Sequence, residues 1–280
     1  KANELIAQQH PFDFRSEALV GALSKVLFPD PLPAAVSSEP TKFIFVTGLP
    51  RTGTTLTERI LARDEGVQAC GELPYVKKAV YEQLHDVKRL QKNVINSGHI
   101  KRIRENLLES FSEISDGRPI AVDKMPLNFK WIGYICAALP EARIVHMNRD
   151  PMAVAWSLYR QAFQGRGHDF IYTPEDIARF MVFHQDLMNH WRKICGDRIF
   201  DLSYSDLVNE PERTTKSLAS AVGLEWTEDW LSPEKASNHV RTASVEQVTK
   251  PVYQNSDVGW KTYEEHLGAL KNALQITKLI

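Results

Sequence analysis

The chain has 280 residues, 43% hydrophobic and 25% charged, which is the composition of a globular protein with a substantial core. Its 34 Lys and Arg and 35 Asp and Glu give a net charge of -1, which excludes nucleic acid or an anionic membrane surface as a partner attracted by overall charge. No apolar run approaches the roughly 18 residues of a membrane span, and the start lacks a signal-peptide pattern, so we predict a cytoplasmic protein. Because the chain begins with Lys rather than Met, we expect it to be a piece of a longer protein.

The first elements in chain order are a helix, a proline-containing loop and a buried strand. Apolar spacing predicts a helix over residues 16–28, and the prolines at 31, 33 and 40 end it. The apolar run 43–46 is typical of a buried parallel strand, and the residues from Thr54 onward have helical spacing. Residues 76–114 are charged with apolar positions at helical spacing, which predicts two amphipathic helices with solvated outer faces.

Strand and helix then alternate along the rest of the chain. Three further strands are predicted over residues 120–123, 143–148 and 199–202, with helices over 128–139, from Pro151, over 211–222 and over 262–279. This alternation predicts an α/β fold of three layers, with a central parallel sheet and helices on both faces. We expect a single domain over residues 1–280, with 1–41 as a helical lead-in that follows an upstream domain.

The three cysteines are Cys70, Cys136 and Cys195, and they are far apart in the sequence. Their odd number and the absence of a C-x-x-C spacing favour neither a disulfide framework nor a zinc site. We therefore expect no metal in this protein.

A glycine-rich loop follows the first predicted strand. The sequence GLPRTGTT at residues 48–55 fits the phosphate-binding pattern G-x-x-x-x-G-K-[ST] except that Thr54 replaces the Lys. In such a loop the backbone N–H groups point inward at an anion, and the following helix adds the positive end of its dipole. Without the Lys and without a plain Walker B Asp, the loop favours a phosphate-like group bound without a metal, with Arg51 as the substitute cation.

A second anion-binding candidate follows another strand. Arg149 comes at the carboxyl end of the strand 143–148, where open α/β sheets bind their ligands, and its planar guanidinium suits a phosphate. Ser157 lies two turns along the next predicted helix and offers a hydroxyl to the same group. On its own Arg149 fits a surface ion pair equally well, but beside the glycine-rich loop it indicates a second phosphate site.

With these two motifs in order, the chain resembles the sulfotransferases that use 3′-phosphoadenosine 5′-phosphosulfate (PAPS), over residues 43–263. The resemblance is greatest to the tyrosylprotein sulfotransferases and their bacterial relatives, which often carry helical repeats upstream. It implies that the first loop binds the 5′-phosphosulfate and that the second motif binds the 3′-phosphate. The residues implied are Arg51, Thr52, Gly53, Thr54 and Thr55 at the 5′ end, and Arg149 and Ser157 at the 3′ end.

Further segments resemble the tyrosylprotein branch and imply catalytic roles. Cys-Gly-Glu at 70–72 implies that Glu72 is the general base, and the segment 123–126 implies that Lys124 contacts the transferring sulfuryl group. Residues 242–261 resemble the loop that covers the cofactor, and the segment 203–207 resembles the Tyr-x-x-Leu segment at the nucleotide. These segments add Ser244 near the reacting centre, and Gln247, Lys250 and Tyr204 at the cofactor.

The chain departs from the tyrosylprotein pattern at two basic positions. Gln161 stands where that branch has an Arg, although Arg160 and Arg166 are nearby in the sequence. Gly259 stands where the branch has a basic residue before a Trp, and here Lys261 follows Trp260 instead. The sequence leaves open whether Arg160, Arg166 or Lys261 replaces these missing basic residues.

We therefore expect a metal-independent sulfotransferase that leaves adenosine 3′,5′-bisphosphate as its product. The acceptor is a hydroxyl of a protein tyrosine, a carbohydrate, a lipid or a small molecule, and the sequence does not choose among them. Arg51, Lys124 and Ser244 would stabilise the transferring charge, and His85 is the next candidate base after Glu72. Two alternatives stay open: a small-molecule kinase that uses ATP and Mg²⁺, and a non-catalytic nucleotide-binding module.

Overall fold

A parallel sheet forms the centre of the fold. The computed structural model describes residues 2–32, 42–89, 95–161, 167–236 and 258–280, and within them five strands pair side by side in the order β2-β3-β1-β4-β5. All four pairings are parallel, and β1 pairs with β4 in the register Phe45 to Ile144. The predicted α/β fold with a parallel sheet is therefore confirmed. The strands are β1 Phe43–Gly48, β2 Val67–Ala69, β3 Ile120–Asp123, β4 Arg143–Asn148 and β5 Ile199–Ser203.

Helices cover both faces of this sheet. Among the described residues, no helix is both long enough and apolar enough to cross a membrane. Two 3₁₀ helices, at residues Pro126–Trp131 and Gly259–His266, follow β3 and precede the last α-helix, respectively. The α-helices are α1 Ala2–Gln9, α2 Phe14–Leu27, α3 Thr54–Leu61, α4 Tyr75–Arg89, α5 Ser97–Glu113, α6 Ile132–Ala138, α7 Pro151–Tyr159, α8 Pro174–Cys195, α9 Tyr204–Asn209, α10 Pro211–Val222 and α11 Gly268–Ile276.

The central strand β1 divides the core into two apolar clusters. Successive side chains of a strand point to opposite faces, so Phe43 and Phe45 pack into one cluster while Ile44 and Val46 pack into the other. The first cluster lies against α5, α6, α7 and α8, and the second lies against α3, α9 and α10. Because every residue of β1 is buried on both sides, its sequence is a continuous apolar run rather than an alternating one.

The strand order places a ligand crevice at the carboxyl end of β1. From β1 the chain moves to β2 and returns through β3, and it then crosses to β4 on the opposite side of β1. In open parallel sheets, ligands bind where the direction of winding reverses in this way. The loops after β1, β3 and β4 therefore open onto one crevice.

Several predicted boundaries are wrong for identifiable reasons. The predicted helix over 128–139 is a 3₁₀ helix followed by α6, because the backbone of Trp131 (φ -119°, ψ 9°) leaves the α conformation. The predicted helix over 262–279 is similarly split at Leu267 (φ -100°, ψ 16°), and the last residues of the predicted irregular segment 242–261 already belong to a 3₁₀ helix. The short strand β2 and the long helix α8 were not predicted.

Candidate active site

The loop between β1 and α3 has a backbone that only a few residue types tolerate. Gly53 has φ 104°, and a Cβ at this position would lie 2.5 Å from Cδ2 of Tyr204. Arg51 also has positive φ, at 75°, and the Thr52 hydroxyl closes the turn by donating to the Leu49 carbonyl over 2.7 Å. Gly53 caps α3 without a side-chain hydrogen bond to the helix, so the first N–H groups of α3 face the loop. Thr54 and Thr55 follow as the first residues of α3 and are buried.

The structure brings the two predicted phosphate motifs into direct contact. Nε of Arg51 donates to Oγ of Ser157 over 2.9 Å, and Nη1 of Arg149 donates to the Arg51 carbonyl over 2.8 Å. The Arg149 guanidinium also lies over the ring of Tyr204, 4.4 Å from its centroid. Arg51, Arg149, Ser157 and Tyr204 thus form one cluster, which we call the arginine cluster.

Positive charge is concentrated at the arginine cluster. Burial and, to a smaller extent, the neighbouring charges of Arg149 and Arg160 together lower the pKa of Arg51 to about 10. Like charges held together in a partly buried site destabilise each other, and a bound anion would offset that repulsion. Arg160 itself lies over the ring of Trp156, at 5.9 Å from the centroid.

A hydrogen-bond network around Asp201, which joins it to the buried His146, links β4 to β5. Nδ1 of His146 lies 2.6 Å from Oδ1 of Asp201, and Arg192 donates to both Asp201 oxygens over 2.8 Å. Burial opposes the ionisation of Asp201, but the hydrogen bonds from Arg192 and His146 hold its pKa well below the usual range. Asn148, directly before Arg149, donates to the same carboxylate over 3.1 Å. The strand ends that carry Arg149 and Tyr204 are therefore held rigidly.

A cavity of about 570 Å³ opens beside the arginine cluster. Its size suits a nucleotide, since small-molecule sites usually measure about 300–1,000 Å³. Trp260 and Lys261 line it together with Arg149, so the Lys that follows the Trp in this sequence borders the cavity. The remaining lining residues are Asn148, Asp150, Pro151, Ser203, Ser205 and Val258.

The predicted base and the predicted catalytic lysine form an ion pair. Nζ of Lys124 lies 2.7 Å from Oε1 of Glu72, and the Lys124 side chain is fully buried while that of Glu72 is 41% exposed. The backbone also joins the two segments, because the Lys124 N–H donates to the Gly71 carbonyl over 2.9 Å. Cys70 follows β2 and donates its N–H to Val122 of β3 over 2.9 Å. The unpredicted strand β2 thus places Glu72 beside Lys124.

Glu58 is a third charged side chain at this pair, and sequence reasoning missed it. Its Oε1 accepts the Gly71 N–H over 2.8 Å, and the residue is only 3% exposed. Burial raises the pKa of Glu58, while the nearby charge of Lys124 acts in the opposite direction. The sequence carried no clear signal for this contact, because the burial of α3 on all sides becomes visible only in the structure.

Asp123, directly before Lys124, is buried and largely protonated at neutral pH. Burial raises its pKa to about 8, although Nδ2 of Asn128 donates to its Oδ2 over 3.1 Å and the Leu73 backbone also donates to it. Within the described residues, no group of three or more His, Cys, Asp and Glu side chains is placed to hold a metal ion.

The high pKa of Asp123 predicts a pH-dependent contribution to stability. The folded state keeps a proton that an unfolded Asp, with a pKa of 3.8, releases, so this contribution falls as the pH rises from 3.8 to about 8. The slope from one such group is at most about 1.4 kcal/mol per pH unit. We expect Asp123→Asn to flatten the decline in the free energy of unfolding between pH 5 and 9, measured by urea denaturation. The exposed Asp197→Asn should leave the decline unchanged, and equal profiles for the two variants would contradict the assignment.

Some predicted site residues lie outside the described part of the chain. These are Ser244, Gln247 and Lys250 in the C-terminal loop, Arg166 after α7, and the side chain of His85. The described residues before 237–257 contact α3, and those after it reach the cavity. Arg59 of α3 donates to the carbonyls of Pro233 and Glu234 over 2.9 Å before this stretch, and Trp260 lines the cavity after it.

Comparisons with known proteins identify the family and the fold of this chain. The family model described as "Sulfotransferase family" matches residues 43–228. An uncharacterized protein of Aquifex aeolicus is 32% identical over 98% of this chain, and the protein-tyrosine sulfotransferase of Drosophila melanogaster is 26% identical over 78% of it. The chain spans only 38% and 46% of the lengths of those two proteins. Among solved structures, the sulfotransferase domain of the Synechococcus PCC 7002 olefin synthase has a TM-score of 0.58 at 16% identity, covering 89% of this chain and 98% of that one, and so shares its fold.

Proposed function

The chain belongs to the sulfotransferase family, and from that premise we propose that it transfers a sulfuryl group from PAPS to an acceptor hydroxyl. The family membership predicted from the two phosphate motifs is confirmed by the family match over residues 43–228. The donor, the base and the acceptor are our proposals. We place the reaction in the crevice at the carboxyl ends of β1, β3 and β4.

The observation that supports this proposal most strongly is the arginine cluster beside the nucleotide-sized cavity. Arg51 and Arg149 come from two different strand ends. Nη1 of Arg149 donates a hydrogen bond to the Arg51 carbonyl over 2.8 Å, and the Arg51 side chain donates one to Ser157. Two guanidinium groups and the start of α3 suit a ligand with two separated anionic groups, such as a 3′,5′-bisphosphorylated nucleoside. Arg51 and residues 52–55 would hold the 5′ end of the donor, while Arg149 would hold the 3′-phosphate.

Two described residues fill the basic positions in which this chain differs from the tyrosylprotein pattern. Lys261 lines the cavity together with Arg149, and Arg160 lies close enough to Arg51 to lower its pKa. We propose that Lys261 supplies the cation that Gly259 lacks, and that Arg160 supplies the one that Gln161 lacks. Ser244, Gln247 and Lys250 remain proposed contacts in the segment that covers the cofactor.

We propose that Glu72 accepts the proton of the acceptor hydroxyl. Its carboxylate is partly exposed, so a hydroxyl group can approach it, and its bond to Lys124 at 2.7 Å fixes its orientation. PAPS supplies an activated sulfuryl group on a phosphate leaving group. The acceptor oxygen forms the new bond to sulfur as the bond from sulfur to the phosphate oxygen breaks, while Lys124 and Arg51 stabilise the negative charge that develops.

Ligand-dependent thermal unfolding tests the donor assignment. Adenosine 3′,5′-bisphosphate at about 100 times its Kd should stabilise the fold by about 2.7 kcal/mol, or raise Tm by about 5 °C. AMP and ADP lack the 3′-phosphate and should raise Tm less at equal concentration. A larger shift with ATP and Mg²⁺ would favour the kinase alternative. Binding of PAPS without its consumption across a broad set of hydroxyl acceptors would favour the non-catalytic module.

A further inference from the structure

We propose that Glu58 is a positioning residue: through it, α3 holds the proposed base Glu72 at a fixed position relative to the loop between β1 and α3. This role rests on the proposed sulfuryl transfer. The helix begins at Thr54, directly after the loop that contains Arg51, and Glu58 lies one turn further along the same helix. A single short helix therefore contacts both the donor side and the acceptor side of the crevice.

Glu58 is connected to Glu72 through the backbone N–H and the backbone carbonyl of Gly71. Oε1 of Glu58 accepts the Gly71 N–H over 2.8 Å, and the Gly71 carbonyl accepts the Lys124 N–H over 2.9 Å. The neighbouring Glu72 side chain then pairs with Nζ of Lys124 over 2.7 Å. Gly71 has φ 72°, a conformation that residues other than glycine rarely adopt, so this segment relies on its hydrogen bonds to hold an unusual turn.

Burial restricts how far Glu58 can move relative to Gly71. Glu58 is 3% exposed, and every residue of α3 from Thr54 to Leu61 is buried, so the helix has little freedom to shift relative to the sheet. If the carboxylate were absent, the Gly71 N–H would lose its acceptor, and the turn before Glu72 would lose its attachment to α3. A displacement of about 1 Å at a reacting group can cost about 100-fold in rate, so small movements of this turn matter.

Two substitutions of matched size separate the effect of losing the hydrogen bond from the effect of altered packing. Glu58→Gln keeps an oxygen that accepts the Gly71 N–H, whereas Glu58→Met has similar length and no such acceptor. We expect Glu58→Met to lower kcat about 10- to 100-fold with the Kd for adenosine 3′,5′-bisphosphate unchanged, and Glu58→Gln to retain most of kcat. Ile60→Val, which removes a buried methylene group from the same helix away from residues 70–72, controls for a general loss of stability.

Amide hydrogen exchange tests the contact without relying on turnover. In Glu58→Met the Gly71 amide should exchange about tenfold faster than in the wild type, and in Glu58→Gln and Ile60→Val it should exchange at the wild-type rate. If the exchange pattern appears and no variant or wild-type protein transfers a sulfuryl group, the positioning contact stands and the proposed function fails. If the wild type is active but Glu58→Met matches Ile60→Val in kcat and in exchange, or Glu58→Gln is as impaired as Glu58→Met, the positioning role is overturned.

Discussion

Replacement of Glu72 by alanine is expected to lower kcat by about 100- to 10,000-fold, the range for loss of a general base. The carboxylate is the proton acceptor in the proposed transfer, and Lys124 holds it at 2.7 Å from Nζ. The Kd for adenosine 3′,5′-bisphosphate should stay unchanged, because Glu72 does not line the cavity beside Arg149. Steady-state kinetics with PAPS and a competent acceptor, together with calorimetric binding of the bisphosphate, would check both parts.

The control for this experiment is Glu65→Ala, which removes an exposed carboxylate between α3 and β2. It should retain wild-type kcat. Since Glu72→Ala also removes the partner of a fully buried Lys124, unfolding curves of both variants are needed to show that the proteins are folded. If folded Glu72→Ala turned over at the wild-type rate, Glu72 would not be the base, and His85 would be the next residue to replace.

Replacement of Arg149 by alanine is expected to weaken binding of adenosine 3′,5′-bisphosphate by about 10- to 150-fold. This range corresponds to a hydrogen bond to a charged group, worth about 1.5–3 kcal/mol. AMP should bind nearly as it does to the wild type if Arg149 contacts the 3′-phosphate, so the selectivity between the two ligands should fall. Arg149→Lys should be intermediate, since it keeps the charge but loses the planar group that lies over Tyr204.

Arg213→Ala is the matched control, because it removes an exposed guanidinium that pairs with Glu210 at the surface. Such surface pairs contribute about 0–1 kcal/mol, so its ligand affinities should match those of the wild type. Equal losses of affinity for AMP and for the bisphosphate in Arg149→Ala would place Arg149 at the 5′ end instead. Isothermal titration with the two ligands distinguishes these outcomes.

The sequence was sufficient for those parts of the fold that have a strong local signal. The strand at Arg143–Asn148, the helix at Pro211–Val222 with its left-handed Gly223, and the loop before α3 were all predicted from patterns within a few residues. Strand β2 was not predicted because three residues carry no period, and it forms only by pairing with β3. Helix α8 was missed although Thr173 caps it and Pro174 begins it, which is a readable start signal.

The site depends on contacts that no local pattern contains. Arg51 and Ser157 are 106 residues apart in the sequence, and Lys124 and Glu72 are 52 apart, so their bonds arise only when the sheet is assembled. Arg51 and Lys124 follow predicted strands, whereas Ser157 lies on a predicted helix and Glu72 follows the unpredicted strand β2, so the order of the strands was needed to bring them together. Glu58 was overlooked because its partner is a backbone N–H, and a backbone group leaves no trace in residue types.

The two charged residues in the middle of α3 have a consequence for how this chain can diverge. Glu58 and Arg59 hold two separate segments through backbone atoms, the Gly71 N–H on one side and the carbonyls of Pro233 and Glu234 on the other. Backbone contacts do not depend on which side chains those segments carry, apart from the glycine that the turn at residue 71 needs. Evolution or a protein engineer can therefore replace neighbouring side chains in both segments while the helix keeps the two backbones in place.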